Sequence, residues 1–211
     1  MVDYGKRALN RAQTRLDILN ASYRMSEAKT FRDLKVKDIA LAVGITEMTF
    51  FNHFAKKEDI LRFMMGAWAL DIIAQQLREP LTGEAAIRRI YSRTAQQVTQ
   101  HPRMMVSFIA YIVTNEIIVT NEISPEADVI EAPDRYLLYP EMPELYEARI
   151  PSGNEILLHH LTEISPSRDY TNTLLHLASC FYGDVLVAHT AGIDVDELYT
   201  KSLDLIFPCI K

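Results

Sequence analysis

Between Val36 and Phe54 the chain sets two short apolar stripes against each other, with small Ala40 where they would cross and Gly44 where the chain must turn. Val36, Ile39, Ala40 and Val43 fall on one helical face. Gly44 ends that stripe, because a left-handed residue at a helix terminus costs least without a side chain. Thr46 suits an N-cap, and a third helix runs from it to about Phe54. Ile39, Val43, Ile45 and Phe50 supply the apolar anchors that hold such a pair on a preceding helix. This is helix-turn-helix spacing. A plain helical hairpin within a bundle has the same apolar spacing, but positive charge flanking the polar face of the third helix favours a surface that meets nucleic acid.

Helical period dominates the rest. Leu9, Ala12, Leu16, Leu19 and Tyr23 form one stripe of a first helix, and Arg7, Arg11 and Arg15 line another face. A fourth helix starts near Lys56 and runs through Ile60, Leu61, Met64, Trp68 and Ile72 to the Glu79-Pro80 break. Thr82 caps a fifth, with Ile87, Ile90, Tyr91, Thr94, Ala95 and Val98 on one face, ended by His101-Pro102. From Arg103 an apolar helix follows, then a tandem hexapeptide at 112–117 and 118–123 whose β-branched residues weaken the helical reading after Asn115. Residues 124–153 hold Pro125, Pro133, Pro140, Pro143 and Pro151, which forbids a long helix there. Helical pattern returns at Glu155–Ile164 and at Asp169–His189, and Asp194 with Glu197 has capping-box spacing for a last helix closed by Pro208. No stretch reads as a sheet. The fold expected is all-α, with a helix-turn-helix domain over 1–62 and a second helical domain over 63–211.

Charge separates the same two parts. The formal net charge is −6, which alone argues against a nucleic-acid partner. Residues 1–65, however, carry 12 Lys and Arg against 8 Asp and Glu, while residues 66–211 carry 10 against 20. A basic front and an acidic remainder suggest different partners. Cys180 and Cys209 form no disulfide framework and no metal-ligand spacing, and read as buried free thiols. Met1 to Leu16 lacks the apolar core of a signal peptide, and the longest uncharged stretches are too short to span a bilayer. A soluble cytoplasmic protein without membrane contact is expected. Glu155, His159 and Glu163 share a face beside His160, a solvated polar face more than a metal site. His176 and His189 read as core or interface histidines, and no cofactor is implied.

The run Val36-Lys-Asp-Ile-Ala-Leu-Ala-Val-Gly-Ile-Thr-Glu-Met-Thr-Phe-Phe-Asn-His-Phe-Ala-Lys-Lys-Glu-Asp-Ile-Leu61 resembles the DNA-binding signature of the tetracycline-repressor (TetR) family. Thr49, Phe50, His53, Phe54, Lys57, Glu58 and Leu61 fall in place. The resemblance covers about 50 residues with the first helix, and beyond it the chain matches only in length and helical character. It implies a homodimeric transcriptional regulator, usually a repressor released from a palindromic operator by a small molecule, and not an enzyme. Departures stand at Leu34-Lys35, where the family has paired hydroxyls, and at Phe51, where it has a tyrosine. Glu47 and Asn52 replace residues that are often basic, and Met48 a small one.

A recognition helix enters the major groove by its N-terminal end, bringing Thr46, Glu47, Met48 and Thr49 near base edges, with Asn52 a turn on. Asn bonds adenine bidentately, Glu accepts from cytosine, and Met touches a thymine methyl. Lys35, His53 and Lys57 are expected on phosphates, and Phe51 faces the duplex without a phenol to bond it.

In the second domain Met104, Met105, Phe108, Tyr111 and Ile112 are candidate walls of an effector cavity, with Tyr136 and Tyr139 docking from the proline-rich segment as a cover. The acidic balance tilts the effector toward a cation. The helix at 169–189 is apolar nearly all round, so a second copy should bury its outer side. Leu174, Ala178, Phe181, Tyr182 and Val185, with Leu198, Tyr199, Ser202 and Ile206 of the last helix, are the expected dimer contacts. The competing reading is an all-α enzyme or carrier whose front domain is structural; no nucleophile–base pair, glycine-rich phosphate loop or metal motif supports it.

Overall fold

The computed structural model describes residues 4–114, 129–166 and 168–210, and among them every regular element is helical. The first helix, α1 (Lys6–Ser26), carries α2 (Val36–Val43) and α3 (Glu47–His53). Ile18, Leu19, Ile39, Ala40, Phe50 and Phe54 are buried between them. Gly44 adopts φ 78°, the Ile45 N–H reaches the Ala40 carbonyl at 2.9 Å, and the Gly44 N–H reaches that of Leu41. That pair of bonds satisfies the last carbonyls of α2 and swings the chain into α3. Phe50 is wholly buried and edge-on to Phe51, so truncating it to Ala would cost about 3–5 kcal/mol.

Five more helices frame the remainder: α4 (Asp59–Arg78), α5 (Gly83–Gln100), α6 (Pro102–Thr114), then α9 (Thr171–Ala191) and α10 (Val195–Ile206). Two others, α7 (Ala132–Leu138) and α8 (Gly153–Ile164), lie between α6 and α9. α5 packs against α8 and α10, and α9 against α10 and α6. Their centre is aromatic. The Tyr91 and Tyr199 rings lie 4.9 Å apart, and their hydroxyls donate to the Leu177 and Phe181 carbonyls at 2.8 and 2.7 Å. Trp68 Nε1 donates to Thr94 Oγ1 at 3.1 Å, so both buried polar groups are satisfied.

The start and stop signals hold with two exceptions. Thr82 occupies the N-cap of α5 but makes no side-chain bond; the Gly83 N–H goes instead to Glu163 of α8, 2.9 Å away. Asp194 caps α10 through the Asp196 N–H, while Glu197 turns to Lys201, so the expected box does not close. A box that does close is Ser152 with Glu155, which starts α8 two residues earlier than the apolar pattern begins. Cys180 is half-buried and Cys209 exposed, a correction to the expectation of buried thiols. His176 and His189 are likewise exposed, not core. The second hexapeptide copy and the start of the proline-rich segment lie outside the described residues.

Candidate functional site

On α3, the Thr46 side chain accepts the Thr49 N–H at 3.1 Å and shares a hydrogen bond with the Thr49 hydroxyl at 2.9 Å. The cap fixes the first turn, and the outer face then presents Glu47, Met48, Phe51 and Asn52 to solvent. Met48 is 77% and Phe51 49% exposed, large apolar groups that a folded domain has no internal reason to leave in water. Lys35 is exposed at the start of α2, beside the same face.

Two residues expected on phosphates are placed differently. Lys57 Nζ donates to the carbonyls of Phe31, Arg32 and Leu34 at 2.9, 2.8 and 3.0 Å and sits 5.1 Å from the Phe31 ring centroid. All three of its N–H groups are therefore committed to closing the 3₁₀ turn that leads into α2. His53 is half-buried, with Nδ1 lacking a partner among the described residues. Burial, then the charges of Arg11 and Arg15, hold its pKa below the usual histidine value, so the ring is neutral at neutral pH.

Arg15 corrects the reading of an arginine face on α1. Its side chain is buried, Nη1 lying 2.9 Å from Glu131 and 3.0 Å from Asp134 of the α7 turn, and Nη2 donating to the Val129 carbonyl. The guanidinium lies 4.5 Å from the Phe63 ring centroid and 5.7 Å from that of Phe54, the residue that ends α3. Burial outweighs the attraction of Arg15 and pushes the Asp134 carboxyl up to about 6. Tyr136 does not cover a cavity: it joins Tyr4 and Tyr146 in a trio of edge-on rings with centroids 5.6–6.2 Å apart. Tyr139 donates to Asp71 of α4 at 2.7 Å. The described part of the proline-rich segment thus packs on α1 and α4 through α7 and Tyr139, while Arg149 and Pro151 at its far end border a cavity.

Met104, Met105, Phe108 and Ile112 are buried in the core, with Tyr111 packed against it. A cavity of about 380 Å³ opens elsewhere, between α4, α5 and α8. Ile72, Ile73, Leu77, Ile90 and Ile156 form its apolar wall, and none of the seven candidate residues lines it. Arg89, Arg93 and Arg149, with Glu155, His159 and His160, stand on its polar wall, so three arginines face one carboxylate against the acidic average of the region. Glu155 takes Arg149 at 2.6 Å, and Arg93 meets Asp71 at 3.2 Å. His159, His160 and Glu163 gather their ligating atoms within 4.8 Å of one another. Glu163, however, already accepts from the Gly83 N–H and lies 2.8 Å from His160 Nδ1, which is a brace between α5 and α8. The apolar periodicity of α4, α5 and α8 is legible in the sequence; that their three faces leave a gap is not.

Of the expected dimer contacts, Phe181, Val185 and Tyr199 belong to the chain's own core, Phe181 lying against Trp68, Tyr91 and Tyr199. Leu174, Ala178, Tyr182, Leu198, Ser202 and Ile206 are half-buried. Leu175, Leu186, Val187 and Leu205 are exposed apolar residues on α9 and α10 that periodicity alone does not single out.

Residues 18–63 match the family model of the bacterial regulatory proteins of the tetR family. No curated protein matches the chain. Among solved structures the chain is similar to that of Thermus thermophilus FadR, a TetR family transcriptional repressor, in complex with lauroyl-CoA. That likeness has 18% identity and a TM-score of 0.55 and covers 92% of this chain and 93% of the other, a shared fold from end to end. No helix among the described residues is long and apolar enough to cross a membrane. The matched stretch holds the helix-turn-helix, so residues 18–63 resemble the DNA-binding part of the bacterial regulatory proteins of the tetR family, and the rest of the chain shares the fold of one solved member.

Proposed function

We propose that the protein works in the cytoplasm as a homodimeric repressor whose two α3 helices read a palindromic operator, and that a small amphipathic effector in the α4–α5–α8 cavity releases it. The observation that carries the DNA reading is the outer face of α3, where Met48, Phe51 and Asn52 stand exposed on a helix fixed at both ends by its cap and by Phe54. Asn52 offers a bidentate partner for adenine, and Met48 an apolar one for a thymine methyl. Lys35 supplies a phosphate contact, and Lys57 holds the turn behind it.

The exposed side of α9 and α10 supports a second copy as partner. Leu175, Leu186, Val187 and Leu205 form an apolar surface that a two-fold axis would cover, with Tyr182, Leu198 and Ser202 at its border. The cavity falls within the size range of small-molecule sites. Its isoleucines suit an alkyl chain, and its three arginines an anionic head group. An acyl thioester of the kind held by the similar FadR combines the two features.

Retention of genomic fragments on the protein, followed by elution with lauroyl-CoA, tests both halves. The expected result is one inverted repeat enriched among the retained fragments and released by the thioester. Enrichment without release rejects the acyl effector. Retention that is indifferent to sequence rejects the operator.

A further inference from the structure

Two chains of contact leave the cavity and meet on α7. The first starts at Arg93 in the cavity wall, passes to Asp71 at 3.2 Å, and reaches the hydroxyl of Tyr139, just past the end of α7, at 2.7 Å. The second starts at Arg149 and Pro151 on the rim. The backbone leading to them is gripped by Arg135 of α7, whose Nη1 donates to the carbonyls of Leu145, Tyr146 and Ala148 at 3.2, 3.3 and 2.6 Å. On its other side α7 holds Arg15 through Glu131 and Asp134, and Arg15 lies over Phe54 at the end of the recognition helix.

We propose that α7 is a lever that transmits the state of the cavity to the recognition helix, with Arg15 its receiving end and Glu131 and Asp134 positioning residues of the repressor. The proposal rests on the reading of that cavity as the effector site. The joint is built to move. Arg15 Nε and Asp134 Oδ1 are buried without a hydrogen-bond partner among the described residues, so the pair is held by an incomplete set of bonds. A buried ion pair with such gaps adds little stability while fixing one arrangement over another, which is what a two-position element requires. The second arm has the opposite character: three carbonyls on one guanidinium make the turn before Arg149 move with α7 as a unit. A displaced rim therefore shifts α7, and α7 shifts Arg15, whose guanidinium lies over the Phe54 ring.

The test fills the cavity by substitution and reads the recognition helix, without effector or DNA. Ile156→Trp places an indole in the cavity, and Ile73→Trp does so from the facing helix should the first variant fold poorly. Hydrogen exchange of the 46–54 amides is then compared with and without the lever joint, broken by Glu131→Gln with Asp134→Asn, or by Arg15→Met. The expected change in exchange on filling the cavity is about two- to thirty-fold in the otherwise native chain and vanishes when the joint is broken. Equal change in both backgrounds, or no change in the native one, overturns the lever. Binding of lauroyl-CoA and of operator fragments by the native protein is measured separately, so loss of either overturns the functional reading without altering the exchange result that decides the lever.

Discussion

The guanidinium of Arg15, on the helix that carries the recognition unit, lies 3.0 Å from the carboxylate of Asp134, in a segment whose far end borders the cavity. Both side chains are nearly shut off from water. The pair joins the helix-turn-helix unit to the segment that borders the cavity.

Asp134 makes stability depend on pH in a defined direction. Its folded pKa of about 6 lies above the ordinary carboxylate value, so its favourable contribution is full below that ordinary value and is lost as pH rises through 6. The charges facing it are Arg11 and Arg15 on α1 and Glu131 beside it, with His53 of α3 close to the same arginines. Asp134→Asn mimics the protonated form, so the variant should gain about 2 kcal/mol over the native protein between pH 4 and pH 7.5. Urea unfolding at both values measures this; a constant difference contradicts it.

Lys57→Ala removes three charge-assisted bonds to carbonyls and leaves the turn before α2 open. A loss of about 2–3 kcal/mol in stability is expected. Because the ammonium has no N–H left for a phosphate, the dependence of operator affinity on salt should keep its slope. A slope reduced by about one would return Lys57 to the backbone-contacting set.

A methyl group added at Gly44 would meet open space, so only the backbone conformation there resists substitution. Gly44→Ala should cost about 1–2 kcal/mol through the left-handed φ and leave the packing of α2 on α3 unchanged. Thermal unfolding by circular dichroism checks the magnitude.

For the dimer, Leu175→Glu and Phe181→Glu give opposite outcomes. Leu175 is 60% exposed, so the charged variant should fold and sediment as a 24.1 kDa monomer. Phe181 packs inside the chain against Trp68 and Tyr91, so a carboxylate there should unfold the helices around it. A folded, dimeric Leu175→Glu protein contradicts the interface.

Local chemistry is the legible part. Gly44, Thr46 and the apolar stripe from Ile39 to Phe50 specify their own turn, cap and crossing, and the structure follows them residue by residue. What the sequence conceals are relationships between distant segments. Arg15 sits in register with two exposed arginines, and nothing local reveals that Asp134 comes to meet it. Phe181 and Leu175 share one apolar helix, and only the neighbours, Tyr91 and Tyr199 on one side and solvent on the other, decide which is core. Met104 and Phe108 have the composition of a cavity wall but fill their own gap, whereas Ile72, Ile90 and Ile156 leave one. Ser152 with Glu155 has capping-box spacing, a local signal for the start of α8 that its apolar stripe overshadows.

The reading of DNA by α3 is tested most directly by selecting operator sequences from randomised duplexes with the native protein and with Asn52→Ala. The expected result is a single inverted repeat for the native chain. The variant should lose preference at one symmetric pair of positions, by about 1–3 kcal/mol each, and keep it elsewhere. An unchanged motif, or none from either protein, would contradict the assignment of α3 as the recognition helix.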